Sequence, residues 1–300
     1  MADKTKNVSA IQLKGGTSAK IKASTYVPKA REVIVSTDSN EMFIGDGKTQ
    51  LKALASTNSP VLSKLETMDA KLDQLLLFKP ALADCSWGQI KAISESGNAA
   101  AAFKVGDEKT ITLSTGEEVT LVILGFNHDD ITGGGKAGIT FGMKNLLATK
   151  YPMNSSSDNT GGWDKSVMRT STMATLLGQL PADLQAAIKA VNKKASAGAQ
   201  STSITTSSDK LFLLAEIEVF GSKSYSVTGE GTQYAYYRDI ANTASARIKK
   251  LSNGSGSANA WWLRSPAASS STGSCYVNSN GLAYGTSASH SYGVAFGFCV

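Results

Sequence analysis

The 300-residue sequence predicts an α+β protein in three parts: a small all-β module over residues 1–56, a short helical stem over 57–80 and a larger mixed domain over 81–300. Three observations carry this reading. Alternating runs broken by turn residues fill the first part, apolar residues recur at heptad spacing in the second, and the third mixes strand-like with helix-like segments. An apolar share of 41% allows a buried core, and the length exceeds one typical domain.

In the first part, Val33 and Val35 alternate with Ile34, "TDSN" supplies a turn, "EMFIGDG" a second strand, and Asp46-Gly47 another turn. So short a module buries little surface, so it is expected to pack against copies of itself. Its "GDGKT" shares residues with a phosphate loop but lacks the G-x-x-x-x-G-K-[ST] spacing. In the stem, Ser59 caps a helix that opens at Pro60 and ends at Pro80. Val61, Leu65, Met68, Leu72 and Leu75 recur at spacings of 4, 3, 4 and 3, the seam of a coiled coil. The alternative is an amphipathic helix lying on its own domain.

The third part opens with strands expected around Phe103–Val105, Ile111–Leu113 and "VTLVILGF", the last two joined by a turn at Ser114-Thr115-Gly116. "KAGITFGMKN" gives a further strand. Helices are expected within "GGWDKSVMRTSTMATLLGQ", with Asp164 as cap, and along "LPADLQAAIKAVNKK", with Leu184, Ile188 and Val191 on one face. "KKASAGAQSTSITTSS" reads as an exposed loop, "DKLFLLAEIEVFG" as a core strand and "YAYYRDIANTASARIKK" as helical.

Little here asks for chemistry. The net charge of +6 is dispersed, so no nucleic-acid partner is expected. No run approaches 18 apolar residues, so no membrane insertion is expected, and "MADKTKNVSAIQLK" lacks the apolar core of a secretion signal, which implies synthesis in the cytoplasm. His128 and His290 are the only histidines, too few to build a zinc centre. "NHDD" (Asn127 to Asp130) could hold calcium near Asp129, or could simply cap a turn. Otherwise no cofactor is expected. Cys85, Cys275 and Cys299 are too scattered for a disulfide framework; they read as buried thiols, with a Cys275–Cys299 pair left open. No G-x-S-x-G elbow is present, and no enzyme is expected.

The informative stretch is "WWLRSPAASSSTGSCYVNSNGLAYGTSASHSYGVAFGFCV". The chain is 18% charged, yet none of the 36 residues from Ser265 to Val300 is Asp, Glu, Lys or Arg. "VAFGFCV" sets Val294, Phe296, Phe298 and Val300 on one strand face, with Ala295 and Gly297 opposite. Tyr276, Asn278, Asn280, Leu282 and Tyr284 share one parity, and the smaller Cys275, Val277, Ser279, Gly281 and Ala283 the other, able to point inward. Tyr, Ser, Asn and Gly are the residues of recognition loops. The middle is therefore expected to be a displayed edge of a folded domain rather than a linker.

Two resemblances follow. "KGGTSAKIKAS" with "STDSNEMFIGDGKTQLKAL" resembles the N-terminal domain of phage tail fibres and major tropism determinant proteins. "ILGFNHDD", "ITFG", "GGWDKSVMR", "DKLFLLAEIEVFG", "YAYY", "WWLRSP" and "GVAFGFC", in that order, resemble the C-type-lectin-fold variable proteins of diversity-generating retroelements. The second implies a C-type-lectin-like domain whose last segment is rewritten by adenine-directed mutagenesis of AAC-type codons. Codons ending in C never encode Lys, Glu, Gln, Met or Trp, and none of those five follows Trp262. By resemblance, the varied ligand-binding positions are Ala267, Ser269, Ser271, Thr272, Ser274, Tyr276, Asn278, Asn280, Leu282, Tyr284, Gly285, Thr286, Ser287, Ser289, His290 and Tyr292. Trp261, Trp262, Arg264, Cys275, Val294 and Phe298 would be scaffold. The implied protein is a homotrimeric phage or prophage tail-fibre receptor-binding protein at the fibre tip of a virion. It would contact a host cell-surface protein or glycan, and other tail or baseplate proteins through its first module. A formylglycine-generating-enzyme-like oxidoreductase, using Cys275 or Cys299, and a non-phage bacterial adhesin are the alternatives.

Overall fold

The computed structural model describes residues 14–39, 41–54, 56, 64, 67–68, 81–252 and 256–300. The chain divides into two compact units, Met1–Lys79 and Pro80–Val300. Among the described residues no helix is long and apolar enough to cross a membrane.

In the first unit, β1 (Lys14–Gly16) runs parallel to β2 (Val33–Ser36), which pairs antiparallel with β3 (Met42–Ile44). The module is not all-β. A helix at Ser18–Ala23 follows β1, started by the Thr17 hydroxyl, which accepts from the Lys20 amide. Its Ala and Lys residues favour helix, and Ile21 alone turns inward to join Ile34, Phe43 and Leu51 in a small core. The "GDGKT" turn is closed on itself: Asp46 Oδ1 accepts from the Lys48 and Thr49 amides at 2.8 and 2.7 Å. The amides that a phosphate would need are thus already bonded to a carboxylate. Of the expected stem, Lys64, Thr67 and Met68 are helical and exposed. Ser59, Val61, Leu65, Leu72 and Leu75, and with them the seam, lie outside the described residues.

The second unit is α+β, with several small sheets and short helices. A helix at Trp87–Glu95 opens on a capping box between Ser86 and Gln89. Next come β4 (Glu108–Thr112), β5 (Glu118–Phe126), β6 (Ile139–Met143) and β7 (Tyr151–Pro152). The expected strand at Phe103–Val105 is absent; the chain is extended instead over β4, which the turn before β5 aligns with that strand. Helical turns at Gly162–Lys165 and Met168–Thr172 lead into a helix at Met173–Gln179. Asp164 lies in the first turn rather than capping it.

The helix that follows is only Ala182–Ala187, and the residues after it form β8 (Val191–Ser196) and β9 (Ile204–Asp209), an antiparallel hairpin. Both the longer helix and the exposed loop expected from the sequence are corrected. Val191, Lys193 and Ala195 alternate inward, and burial of that face outweighs the helical propensity of the lysines. "DKLFLLAEIEVFG" divides likewise: Phe212 exchanges backbone hydrogen bonds with Gly297 at 3.0 and 2.7 Å, and Glu216–Phe220 turns helical. A helical segment at Tyr236–Ile240 and a turn at Ala244–Arg247 precede β10 (Lys249–Lys250) and β11 (Ala258–Asn259).

The charge-poor stretch supplies β12 (Trp261–Pro266), β13 (Gly273–Val277), β14 (Ala283–Ser287), β15 (Ser291–Tyr292) and β16 (Gly297–Cys299). It serves three sheets. β16 adds to β6 in the order β16-β6-β5-β4, β12-β13-β14 stand together, and β15 pairs with β7. "VAFGFCV" is buried on both faces, from Val294 through Val300. Trp87 meets Phe141 and Phe298 edge-on at 5.4 and 5.8 Å, tying the Trp87–Glu95 helix to that sheet.

Candidate recognition surface

The site is graded from core to solvent across β12-β13-β14. Trp262 lies opposite Tyr276, and Tyr276 opposite Tyr284, so the three side chains share one face. Trp262 is fully buried, Tyr276 half-buried and Tyr284 exposed. Their ring centroids are 6.3 and 6.2 Å apart. Tyr292 closes on both Trp262 and Tyr276 at 4.9 and 4.8 Å, and His290 follows at 6.0 Å from Tyr292. On the opposite face, Trp261, Cys275 and Val277 are buried, which fixes the register.

The expected positions separate by exposure. Ser269, Ser271, Thr272, Asn280, Leu282, Tyr284, Gly285 and His290 are exposed. Tyr276, Asn278, Thr286, Ser287, Ser289 and Tyr292 are half-buried. Ala267 and Ser274 are buried, because they flank the strand ends where the Ala267 amide bonds the Gly273 carbonyl at 3.0 Å. The sequence also suggested a single alternating run from Cys275 to Tyr284. In the structure a turn interrupts it, with Asn278 Oδ1 accepting from the Asn280 and Leu282 amides, both at 2.9 Å. Gly281 fixes that turn: its φ is +77°, and a Cβ there would lie 1.8 Å from the Ala244 carbonyl oxygen.

The loop between β12 and β13 hangs from a residue outside the charge-poor stretch. Asn159, 2% exposed, donates from Nδ2 to the Ser270 and Gly273 carbonyls at 2.8 and 2.6 Å. Its own amide donates to the Ser271 carbonyl at 3.0 Å, and its Oδ1 accepts from the Ala199 amide at 2.7 Å. Every one of these bonds to the loop is made to main chain. The loop's path is therefore set without reference to which side chains it carries. Sequence reasoning passed over Asn159 because an Asn in "SSSDNTGG" is an ordinary turn residue. It also passed over Tyr225, which stacks on Tyr284 at 5.6 Å, and Ser157, whose hydroxyl bonds those of Ser287 and Ser289 at 2.6 and 3.0 Å.

Beneath this surface lies a buried ionic network. Arg264 grips Glu218 with both terminal guanidinium nitrogens at 2.5 and 2.7 Å, and donates to the Lys194, Leu213 and Glu230 carbonyls. Lys193 joins Glu218 to Asp129 at 2.8 and 2.7 Å and reaches the Tyr234 hydroxyl at 3.0 Å. Burial opposes ionisation of Asp129, but Lys193 and His128 outweigh it and hold the carboxyl well below its usual range. Calcium near Asp129, one of the two readings of "NHDD", does not fit these contacts: the ammonium of Lys193 occupies the place of a cation. Among the described residues no cluster of His, Cys, Asp and Glu could hold a metal. Cys85, Cys275 and Cys299 are buried and unpaired, and burial pushes each thiol up, the reverse of what a reactive cysteine needs.

Residues 137–300 match the family model described as a domain of unknown function, DUF6273, over more than half of the 300 residues. The chain belongs to the DUF6273 family. The matched span of this DUF6273 chain contains Asn159, the Lys193–Glu218–Arg264 network and the whole charge-poor stretch. Residues 11–49 match a second model, the major tropism determinant N-terminal domain, so the first unit is similar to the corresponding part of those proteins. Comparison with curated proteins and with solved structures returned no match.

Proposed function

We propose that the chain is a phage or prophage tail-fibre receptor-binding protein that recognises a host cell-surface ligand through the face built on β12-β13-β14. The observation that carries the reading is the match of residues 11–49 to the N-terminal domain of major tropism determinants. In the proposal, that unit joins tail or baseplate partners, the stem sets a three-fold axis, and the second unit is a C-type-lectin-like domain displayed at the fibre tip of the virion. Its action is binding without covalent chemistry, and three copies raise avidity.

Main-chain suspension of the loop from Asn159 supports diversification of this face, because side chains can change while the path stays fixed. An imperfect repeat of the gene's last segment beside a reverse transcriptase would accompany that diversification. A bacterial surface adhesin could present the same face, but the match at residues 11–49 favours the tail.

The test is adsorption. The purified chain should give three times its 31.3 kDa mass by light scattering, bind host cells, and compete with the phage that encodes it. A chain that binds no host strain and leaves phage adsorption untouched would refute the proposal. A monomer that still binds would remove only the three-fold stem.

A further inference from the structure

Four tyrosines form a continuous row at the surface just described. Tyr225 stacks on Tyr284 at 5.6 Å, Tyr284 approaches Tyr276 at 6.2 Å, and Tyr276 approaches Tyr292 at 4.8 Å. Three belong to the charge-poor stretch. Tyr225 does not, and it is held differently. The buried Glu216 carboxylate accepts from the Ser224, Tyr225 and Ser226 amides at 2.7 to 3.1 Å, which locks this turn onto the core. The Tyr225 carbonyl in turn accepts from the Ala268 amide at 2.7 Å.

We propose that this row is a stacking platform for a neutral oligosaccharide, with Tyr225 as its permanent member. The inference rests on reading this face as the receptor-contacting one, and names the chemistry of what it takes. The rings lean on one another, stacked at Tyr225–Tyr284 and tilted by 37° and 42° on either side of Tyr276, and what they leave uncovered is apolar area in repeated units for the C–H faces of successive sugar rings. Around it stand neutral donors and acceptors: the hydroxyls of Ser157, Ser287 and Ser289, and the Thr286–His290 pair at 2.8 Å. These suit sugar hydroxyls.

Charge along the stretch disfavours acidic occupants. None of the 36 residues from Ser265 to Val300 is Asp, Glu, Lys or Arg, and the fixed charge nearest in sequence to the row is the exposed Lys223, two positions before Tyr225. A charged partner would lose hydration here without gaining a counter-charge from this stretch. Burial and the neighbouring Tyr292 push the Tyr276 phenol up, so the centre of the row stays neutral as well. The competing occupant is a peptide added along β14, the edge strand of its sheet.

The experiment uses the intact chain on a printed panel of neutral hexose and N-acetylhexosamine oligosaccharides with their sialylated and uronic-acid counterparts. Binding confined to neutral chains is expected. Tyr225→Ala should weaken it about tenfold, while Tyr225→Phe stays within about threefold because stacking uses the ring. Unchanged near-ultraviolet circular dichroism identifies folded variants, and Tyr284→Ala serves as a second variant if Tyr225→Ala fails to fold. Binding only to acidic chains would overturn the proposal. So would host-cell binding that protease treatment of the cells abolishes, which would leave receptor recognition standing with a protein as ligand. Absence of any cell binding would instead bring down the receptor reading itself.

Discussion

Lys249 is buried, and among the described residues no carboxylate pairs with it. Its ammonium donates to the Met143 and Lys144 carbonyls at 2.5 and 2.9 Å and lies 5.3 Å from the Trp261 ring. Burial lowers its pKa from 10.5 to about 7. Glu230 goes the other way, raised by burial from 4.5 to about 7. Between pH 4.5 and 7 the folded state keeps a proton on Glu230 that the unfolded chain has lost, so stability falls as pH rises. Between pH 7 and 10.5 the unfolded chain keeps a proton on Lys249 that the folded state has lost, so stability rises. Urea unfolding at pH 5, 7 and 8 should therefore give its lowest value at 7, by about 2 kcal/mol relative to pH 5 and about 1 relative to pH 8. Above pH 8 the buried thiols oppose the rise, since their ionisation is also disfavoured in the fold. Lys249→Met should abolish the increase from pH 7 to 8 and leave the fall from 5 to 7; a maximum at pH 7 would contradict the assignment. None of this was legible in the sequence. Lys249-Lys250 and Lys193-Lys194 look like solvated pairs, and only the strands around them show that one member of each is buried.

At the scale of elements, the sequence was most informative where one physical demand dominated. "VTLVILGF" could only be a buried strand, and it forms the centre of β5. The clamps "WWLRSP" and "VAFGFCV" were recognisable as core, and Trp261, Trp262, Arg264, Cys275, Val294 and Phe298 are each at most 1% exposed. Prediction failed where local preference and tertiary burial disagreed. "VNKK" reads as the end of a helix and "KKAS" as the start of a loop, yet the segment pairs with β9, because Lys193 is drawn inward by Asp129 and Glu218. The loop over residues 267–272 shows another limit. Its displayed residues were readable from composition, but its anchor, Asn159, lies more than a hundred positions away. Asn159→Ala should cost roughly 1–3 kcal/mol, since it strands buried carbonyls without a donor. Hydrogen exchange should then speed up at Ser269 to Thr272 while β16 stays protected; equal protection in both proteins would mean that the loop is held by something else.

For the whole molecule, the division of labour follows from burial. The β16-β6-β5-β4 sheet and the Asp129–Lys193–Glu218–Arg264 network lie in the buried interior from which the β12-β13-β14 face emerges. Among the described residues of the first unit, Ile21, Ile34, Phe43 and Leu51 form a small core with Leu54 packed against it, and so small a core is the ground for its proposed association with copies of itself. If the face is for recognition, its outer side chains contribute to binding and little to folding. The direct measurement combines Asn280→Ala, Leu282→Ser, Tyr284→Ser and His290→Ser, all at exposed positions, in one chain. Thermal unfolding and host-cell binding are then compared with the parent. The account predicts a midpoint within about 3 °C of the parent, as for surface substitutions, and host-cell binding reduced at least tenfold. Unchanged binding, or a collapse of the fold with it, would contradict the claim that this face is a recognition surface carried on an independent scaffold.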